Sequence, residues 1–209
     1  MKQEMLKIFD DDSNQIGTAT RHDVHRVGYW HEVFHCWFVS RHKNEYYIYL
    51  QLRSPHKDYP NLLDITAAGH LLADETVQDG VREIQEEVGV NVSFNELVPL
   101  GTVKYRIIEN NFFDKEIANV FLYQSHHNLE DFNLQVNEVT GIVKCKFSHF
   151  HDLWFGKRRY INIKGYMYNE NGKKTPIDKK VGHESFVPHE VDLYQTVLQK
   201  IKKYLIKEN

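Results

Sequence analysis

Glu83, Glu86 and Glu87 are spaced i, i+3 and i+4, so on a helix their carboxylates project from one face about a turn apart. Like charges that close repel one another, and Mg²⁺ or Mn²⁺, which prefer oxygen ligands, would be natural occupants of the space between them. Arg82 lies four residues before Glu86 and offers a different relief, a paired and solvated acidic face without any ion. A second concentration of chemistry lies upstream. Of 13 histidines, His22, His25, His31 and His35 fall within fourteen residues, a density that suits a metal or phosphate site as well as hydrogen-bonded structural imidazoles.

The elements that must position these groups follow from periodicity. Val77, Val81, Ile84 and Val88 recur at spacings of three and four, which predicts an amphipathic helix over 76–88 ended by Gly89. Runs of β-branched and aromatic residues at 32–39 and 46–52 bracket a polar turn at 40–44, the pattern of an antiparallel pair. An N-terminal hairpin has residues 5–9 as one arm and 10–14 as its turn, and 64–72 reads as a strand interrupted by Gly69. Further strands are expected at 97–107 and 117–123, with a polar connector at 109–115 between them, and at 141–147 and 160–168. A turn at 169–172 leads into a polar loop. The C-terminal helix, about 190–207, presents Val191, Tyr194, Val197, Leu198, Ile201 and Leu205 on one face for packing. With no repeat or linker, the expectation is one α+β domain over 1–209, a mixed sheet with helices packed on it.

Composition narrows the function classes. The 209 residues are 41% hydrophobic and 26% charged, enough to bury a sizeable core, which excludes disordered, collagen-like and coiled-coil chains. A formal charge of -3, with basic runs that are short and scattered, gives no footprint for a nucleic-acid polymer. No apolar run approaches the roughly 18 residues that span a bilayer, and the first residues lack the apolar centre of a signal peptide, so no membrane partner is expected. Cys36 and Cys145 lack CxxC partners and stand in strand-like contexts, which fits a reducing, cytoplasmic setting. Tyr29, Trp30 and Trp37 could stack on a base, but core packing is the stronger reading.

Residues 69–90, GHLLADETVQDGVREIQEEVGV, resemble the signature of Nudix hydrolases: Gly69, Glu75, Arg82, Glu83, Ile84, Glu86, Glu87, Gly89 and Val90 all match by type. Such a match would arise by chance on the order of once in a million sequences of this length. One spacing departs from the pattern, since six residues rather than seven separate Glu75 from Arg82, which weakens the expectation that Glu75 braces the helix. The resemblance implies a Nudix-type α/β/α sandwich with a mixed β-sheet, and cleavage of a diphosphate linkage in a small molecule such as a nucleoside diphosphate derivative. It implies Glu83, Glu86 and Glu87 as ligands of Mg²⁺ or Mn²⁺, a water activated by the metal, Arg82 orienting Glu86, and Gly69 letting backbone approach the metal. A homodimer is common in the family and is the expected assembly.

A wider pattern, RHDVHRVGYWHEVFHCW with AAGH at 67–70 and DKEIANVF at 114–121, looks like the type I isopentenyl diphosphate isomerase branch of the superfamily. That likeness implies a second metal site of His25, His31, His70, Asp114 and Glu116, with Asp114 one methylene shorter than the branch's Glu. The branch's proton-transferring Cys is Ala68 here, so isomerase chemistry lacks one of its acid-base groups while the hydrolase glutamates are complete. The expected activity is therefore that of an isomerase-like Nudix hydrolase, with Glu116 as general base or additional ligand. The rival readings are an isopentenyl diphosphate isomerase-like enzyme and a non-catalytic nucleotide sensor. Ala68 opposes the first, and the intact glutamates oppose the second.

Overall fold

The computed structural model describes residues 4–109 and 112–207; Asn110 and Asn111, inside the expected polar connector, lie outside the described residues, as do 1–3 and 208–209. The N-terminal hairpin forms as expected from β1 (Met5–Phe9) and β2 (Gln15–Thr20), its turn closed by the Asp10 carboxylate accepting from the Asn14 N–H at 2.8 Å. Helix α1 (Arg21–Val27) follows and was not anticipated. Its signals are present: Thr20 Oγ1 caps it by accepting from the Asp23 N–H at 3.1 Å, and Gly28 ends it with a φ of +83°.

Strands β3 (Trp30–His42) and β4 (Glu45–Arg53) pair antiparallel around the expected turn, from Val39 opposite Ile48 to His42 opposite Glu45. The single strand expected at 64–72 is two short ones, β5 (Leu63–Asp64) against β4 and β6 (Ala67–His70) against β3. Helix α2 (Arg82–Val88) is shorter than the 76–88 periodicity suggested, because a 3-10 turn at Asp79–Val81 takes up the residues before it. The hairpin of β7 (Val98–Glu109) and β8 (Phe112–Gln124) then lays β8 parallel to β3, from Trp30 opposite Lys115 to Val39 opposite Gln124. That pairing makes the sheet mixed.

β9 (Val139–Lys146) joins β4, and helix α3 (Phe147–Trp154) begins where the strand had been expected to end. β10 (Ile161–Tyr168) pairs with β9, and the expected polar loop beyond it is β11 (Lys174–Val181), an edge strand whose pattern buries only Ile177 and Val181. Lysines and a proline on such an edge disguise it as loop. Helix α4 (Val191–Lys207) closes the chain. Its buried face carries Leu193 at 1% exposure rather than Val191, which is 50% exposed.

The alternation of β3 sorts the layers. Val33, Trp37 and Val39 join the core formed with Phe150 and Leu153 of α3 and Tyr194, Val197 and Ile201 of α4, where Trp154 stacks on Tyr194 at 3.6 Å. Phe34, Cys36 and Phe38 face the other way, onto Ile84 and Val88 of α2. Helices therefore cover both faces. On β3 the residues ahead of Trp37 on its own face are His31 and His35, and on β8 Asp114 and Glu116 precede Ala118 and Val120 in the same way. The apolar ends of these strands build the core, and their polar ends are left to build a site. Leu193→Ala should lower unfolding free energy by about 2–4 kcal/mol, while Val191→Ala should change it by less than about 0.5 kcal/mol, as measured by urea denaturation.

Candidate active site

The loop into α2 is held by side chains that imitate backbone turns: Glu75 Oε2 accepts from the Leu72 N–H at 2.8 Å, and Asp79 Oδ2 from the Thr76 N–H at 2.7 Å. The six-residue spacing leaves Glu75 within reach of the helix. Arg82 donates from Nε to Glu75 Oε1 at 2.5 Å and from Nη2 to Oε2 at 2.9 Å, a two-pronged pair, so Glu75 does brace Arg82. The same guanidinium reaches Glu83 Oε1 at 2.6 Å, Glu86 Oε2 at 2.9 Å and the His70 carbonyl at 3.0 Å. One fork thus ties the loop, β6 and two of the three helix glutamates together.

Gly69 sits against Glu83. A Cβ built there would lie 2.2 Å from Glu83 Cδ, so the carboxyl occupies the space a side chain would fill. Glu83 is 8% exposed, and burial pushes its carboxyl up to about 7 against the pull of Arg82. Glu87, also buried, accepts at Oε2 from the Ala68 N–H at 2.8 Å and from Gln51 Nε2 at 3.2 Å. Burial, with the Glu83 charge added, holds it well above the usual carboxylate range. Glu86 remains exposed.

The second expected group also assembles. His25 from α1, His31 from β3 and His70 from β6 bring their ring centroids to 5.1–5.3 Å of one another, and a ring nitrogen from each lies within 4.8 Å of the others. Asp114 Oδ1 stands 3.4 Å from His25 Nε2 and 3.5 Å from His31 Nε2, and His31, Asp114 and Glu116 form an overlapping group on the same criterion. Burial pushes the His31 imidazole down to about 4 and His70 well below its ordinary value, so both present neutral rings at physiological pH. Asp114 is half-buried, yet its hydrogen bond with His25 and the charge of His31 hold it below the usual range. Burial, then the Asp114 charge, pushes Glu116 up to about 8, and the Tyr105 hydroxyl donates to its Oε2. His31 Nε2 is buried and has no hydrogen-bond partner among the described residues. Neutral imidazoles with lone pairs to offer, interleaved with carboxylates, fit a divalent cation, and the buried oxygens of Glu83 and Glu87 fit a hard one.

Both groups, apart from the fully buried His31, line one cleft of about 220 Å³. Arg21, Arg53 and Lys57 line it as well, each leaning on a carboxylate: Arg53 on Asp64 at 2.8 Å, Lys57 on Glu138 at 2.9 Å, and Arg21 on Glu4 and Asp58 at 3.6 Å. The sequence reading did not single out these cations, nor Tyr105, Asp64 and His189 in the same wall, because they come from separate elements with no shared spacing. His35 was placed in the histidine cluster, and its two-residue alternation with His31 and Val33 could have put it on the site face. Its Nε2 lies 3.4 Å from Glu116 Oε2. Tyr29, Trp30 and Trp37 do not line the cleft. Trp37 is in the core, Tyr29 packs on the N-terminal hairpin, and Trp30 lies under Lys104 at 4.3 Å.

A raised carboxyl has a pH signature. Between the ordinary value of 4.5 and about 7, folded Glu83 binds a proton that the unfolded chain has lost, so its contribution to stability declines as pH rises through that window and is level above it. In chelator, Glu83→Gln should therefore gain stability relative to wild type between pH 5 and pH 7.5, with a slope of at most about 1.4 kcal/mol per pH unit, measured by urea denaturation at each pH.

Comparisons with known proteins bear on the family and the fold. The family model for the NUDIX domain matches residues 29–168. An uncharacterized Nudix hydrolase of Clostridium acetobutylicum is 34% identical over 202 residues, covering 96% of this chain and 98% of that protein. An isopentenyl-diphosphate Delta-isomerase of Mycolicibacterium vanbaalenii is 30% identical over 122 residues, 56% of this chain and 65% of that protein. Among solved structures, a Deinococcus radiodurans protein superposes with a TM-score of 0.55 at 19% identity, over 71% of this chain and 86% of that one. A MutT/nudix family protein from Enterococcus faecalis gives 0.54 at 12% identity, over 83% and 61%. These two likenesses bear on the fold alone. With the family model covering more than half of the chain and a relative matching nearly its full length, the chain belongs to the Nudix hydrolase family.

Proposed function

We propose that this protein is a metal-dependent hydrolase of a diphosphate linkage in a small molecule, a nucleoside diphosphate derivative by class, and that the whole chain serves as one domain for it. The observation that carries the reading is the convergence of the helix glutamates, the imidazole and carboxylate group and three cations on one cleft. Carboxylates alone would repel a diphosphate, and cations alone would bind it without hydrolysing it. Their juxtaposition suits an anionic substrate held beside divalent cations.

In this reading Glu83, Glu86 and Glu87 hold Mg²⁺ or Mn²⁺, and His25, His31, His70, Asp114 and Glu116 form a second site. A bound cation of this kind neutralises charge on phosphoryl oxygens and acidifies a coordinated water. Arg82 positions Glu83 and Glu86 through the bonds described above, and Gly69 leaves the room Glu83 needs. Arg21, Arg53 and Lys57 face the diphosphate oxygens. Glu116, beside Asp114 and under the Tyr105 hydroxyl, serves as the general base toward an attacking water or as a further ligand of the second site. The isomerase alternative is disfavoured by Ala68, and neither Cys36 nor Cys145 lines the cleft; both thiols are buried, and burial raises them.

Glu87→Gln should reduce release of the phosphomonoester products of the cleaved diphosphate by at least about a hundredfold while leaving the far-ultraviolet circular dichroism and melting temperature near wild type. Chelation should abolish release, and Mg²⁺ or Mn²⁺ should restore it. A Glu87→Gln protein as active as wild type would overturn the reading. Gly69→Ala separates the site from the fold. The added methyl meets the movable end of Glu83 rather than backbone, so stability should change by less than about 1 kcal/mol while turnover drops tenfold or more.

A further inference from the structure

We propose that His189 selects the group carried by the diphosphate, and that this group bears a hydroxyl which hydrogen-bonds to His189 Nδ1. The inference rests on the cleft being the diphosphate site.

His189 belongs to the segment between β11 and α4, outside the stretch matched by the family model. The segment is fastened under the sheet: the Val187 N–H donates to the Leu63 carbonyl at 3.0 Å, and the Tyr194 hydroxyl to the Val187 carbonyl at 3.1 Å. This delivers the imidazole to the cleft wall, 5.2 Å edge-on from Tyr105 and 6.4 Å from His35 between ring centroids. Its Nε2 lies 2.9 Å from Asp64 Oδ1. Asp64 is itself buried, yet His189, Arg53 and the Ile65 N–H hold its carboxyl far below the usual range. An ionised carboxylate only accepts, so Nε2 carries a proton and the ring is fixed in orientation.

The other nitrogen is unsatisfied. His189 Nδ1 is buried, the side chain is 8% exposed, and the atom has no hydrogen-bond partner among the described residues. Buried polar atoms are nearly always paired, and the ring's place in the cleft wall makes a bound molecule the partner available to this one. A hydrocarbon would leave it unpaired. An anion is opposed by the ionised carboxylate of Asp64, which already holds the other ring nitrogen. A hydroxyl is neutral and both donates and accepts, so it satisfies Nδ1 whether or not that atom carries a proton. The atom His35 Nδ1, buried and unpartnered as well, leaves the neighbouring wall equally unsuited to a hydrocarbon.

The test compares binding of ADP-ribose and UDP-glucose with that of isopentenyl diphosphate by calorimetry, with Ca²⁺ in place of Mg²⁺ to suppress turnover. Wild type should bind at least one hydroxylated ligand tenfold or more tightly than isopentenyl diphosphate. His189→Gln keeps an N–H for Asp64 and removes the group at Nδ1; it should lose that preference by tenfold or more, with isopentenyl diphosphate binding unchanged within twofold. If His189→Gln does not fold, His189→Ala is read in the same way, while His189→Asn, which keeps a polar atom near Nδ1, should retain part of the preference. The proposal is overturned if wild type binds neither hydroxylated ligand, if it binds isopentenyl diphosphate as well or better, or if substitution weakens all ligands equally or none. Release of the phosphomonoester products with Mg²⁺ is measured alongside. Discriminating binding without release would overturn the hydrolase reading and leave the role of His189 standing.

Discussion

The missing Cβ at Gly69 lets the Glu83 carboxyl lie directly on the backbone of β6, and the placing of the α2 carboxylates in the cleft depends on that contact. Once Glu83 is seated, Glu87 one turn later reaches the Ala68 N–H, and Arg82 one residue earlier reaches the His70 carbonyl. Three strand residues and three helix residues are thereby brought into contact. Burying two carboxylates this close is unfavourable, and both are held above the usual range by burial. Arg82 relieves Glu83 and Glu86, but Glu87 is met only by the neutral donors of Ala68 and Gln51 among its described hydrogen bonds. A helix assembled for stability alone would not carry these groups inward; strain of this kind is tolerated where a site requires it.

The parallel pairing of β3 with β8 performs the same service for the second group. It sets Glu116 opposite His31 and carries Asp114 to a point shared by His25 and His31. Burial acts in opposite directions on the two residue types, lowering His31, His35 and His70 while raising Glu116, so the charged forms of these four are disfavoured, whereas Asp114 is held ionised. Such a cluster has unused lone pairs and little fixed charge of its own, which suits it to an incoming cation. The apolar continuation of the same two strands fastens it to the core beneath α3 and α4.

The remaining wall of the cleft comes from far along the chain. α4 and the segment before it are tied to β5 and carry His189 to Asp64, so the part of the cleft farthest from the signature residues is shaped by structure beyond the matched domain. This division is physically reasonable: recognition of a diphosphate and its cation needs a fixed register, while recognition of what the diphosphate carries is free to be built from any segment that reaches the cleft.

What the sequence determined by itself was local. The spacing of Glu83, Glu86 and Glu87 follows from 3.6 residues per turn, and the strand runs of β3 and β4 follow from β-branched and aromatic alternation, because both depend on neighbours a few residues apart. The signature resemblance extended that reach to Gly69 and, through the wider pattern, to His25, His31, His70, Asp114 and Glu116. It failed where local signals were ambiguous: α1 hid among the histidines, α3 among aromatics, and β11 among edge-strand lysines. Tertiary structure alone decided that Glu75 still reaches Arg82 across a shortened loop, that Arg21, Arg53 and Lys57 share a cleft with the glutamates, and that His189 meets Asp64 across 125 residues of chain. Those contacts have no period in the sequence, since they are set by which strands pair and which layers close over them.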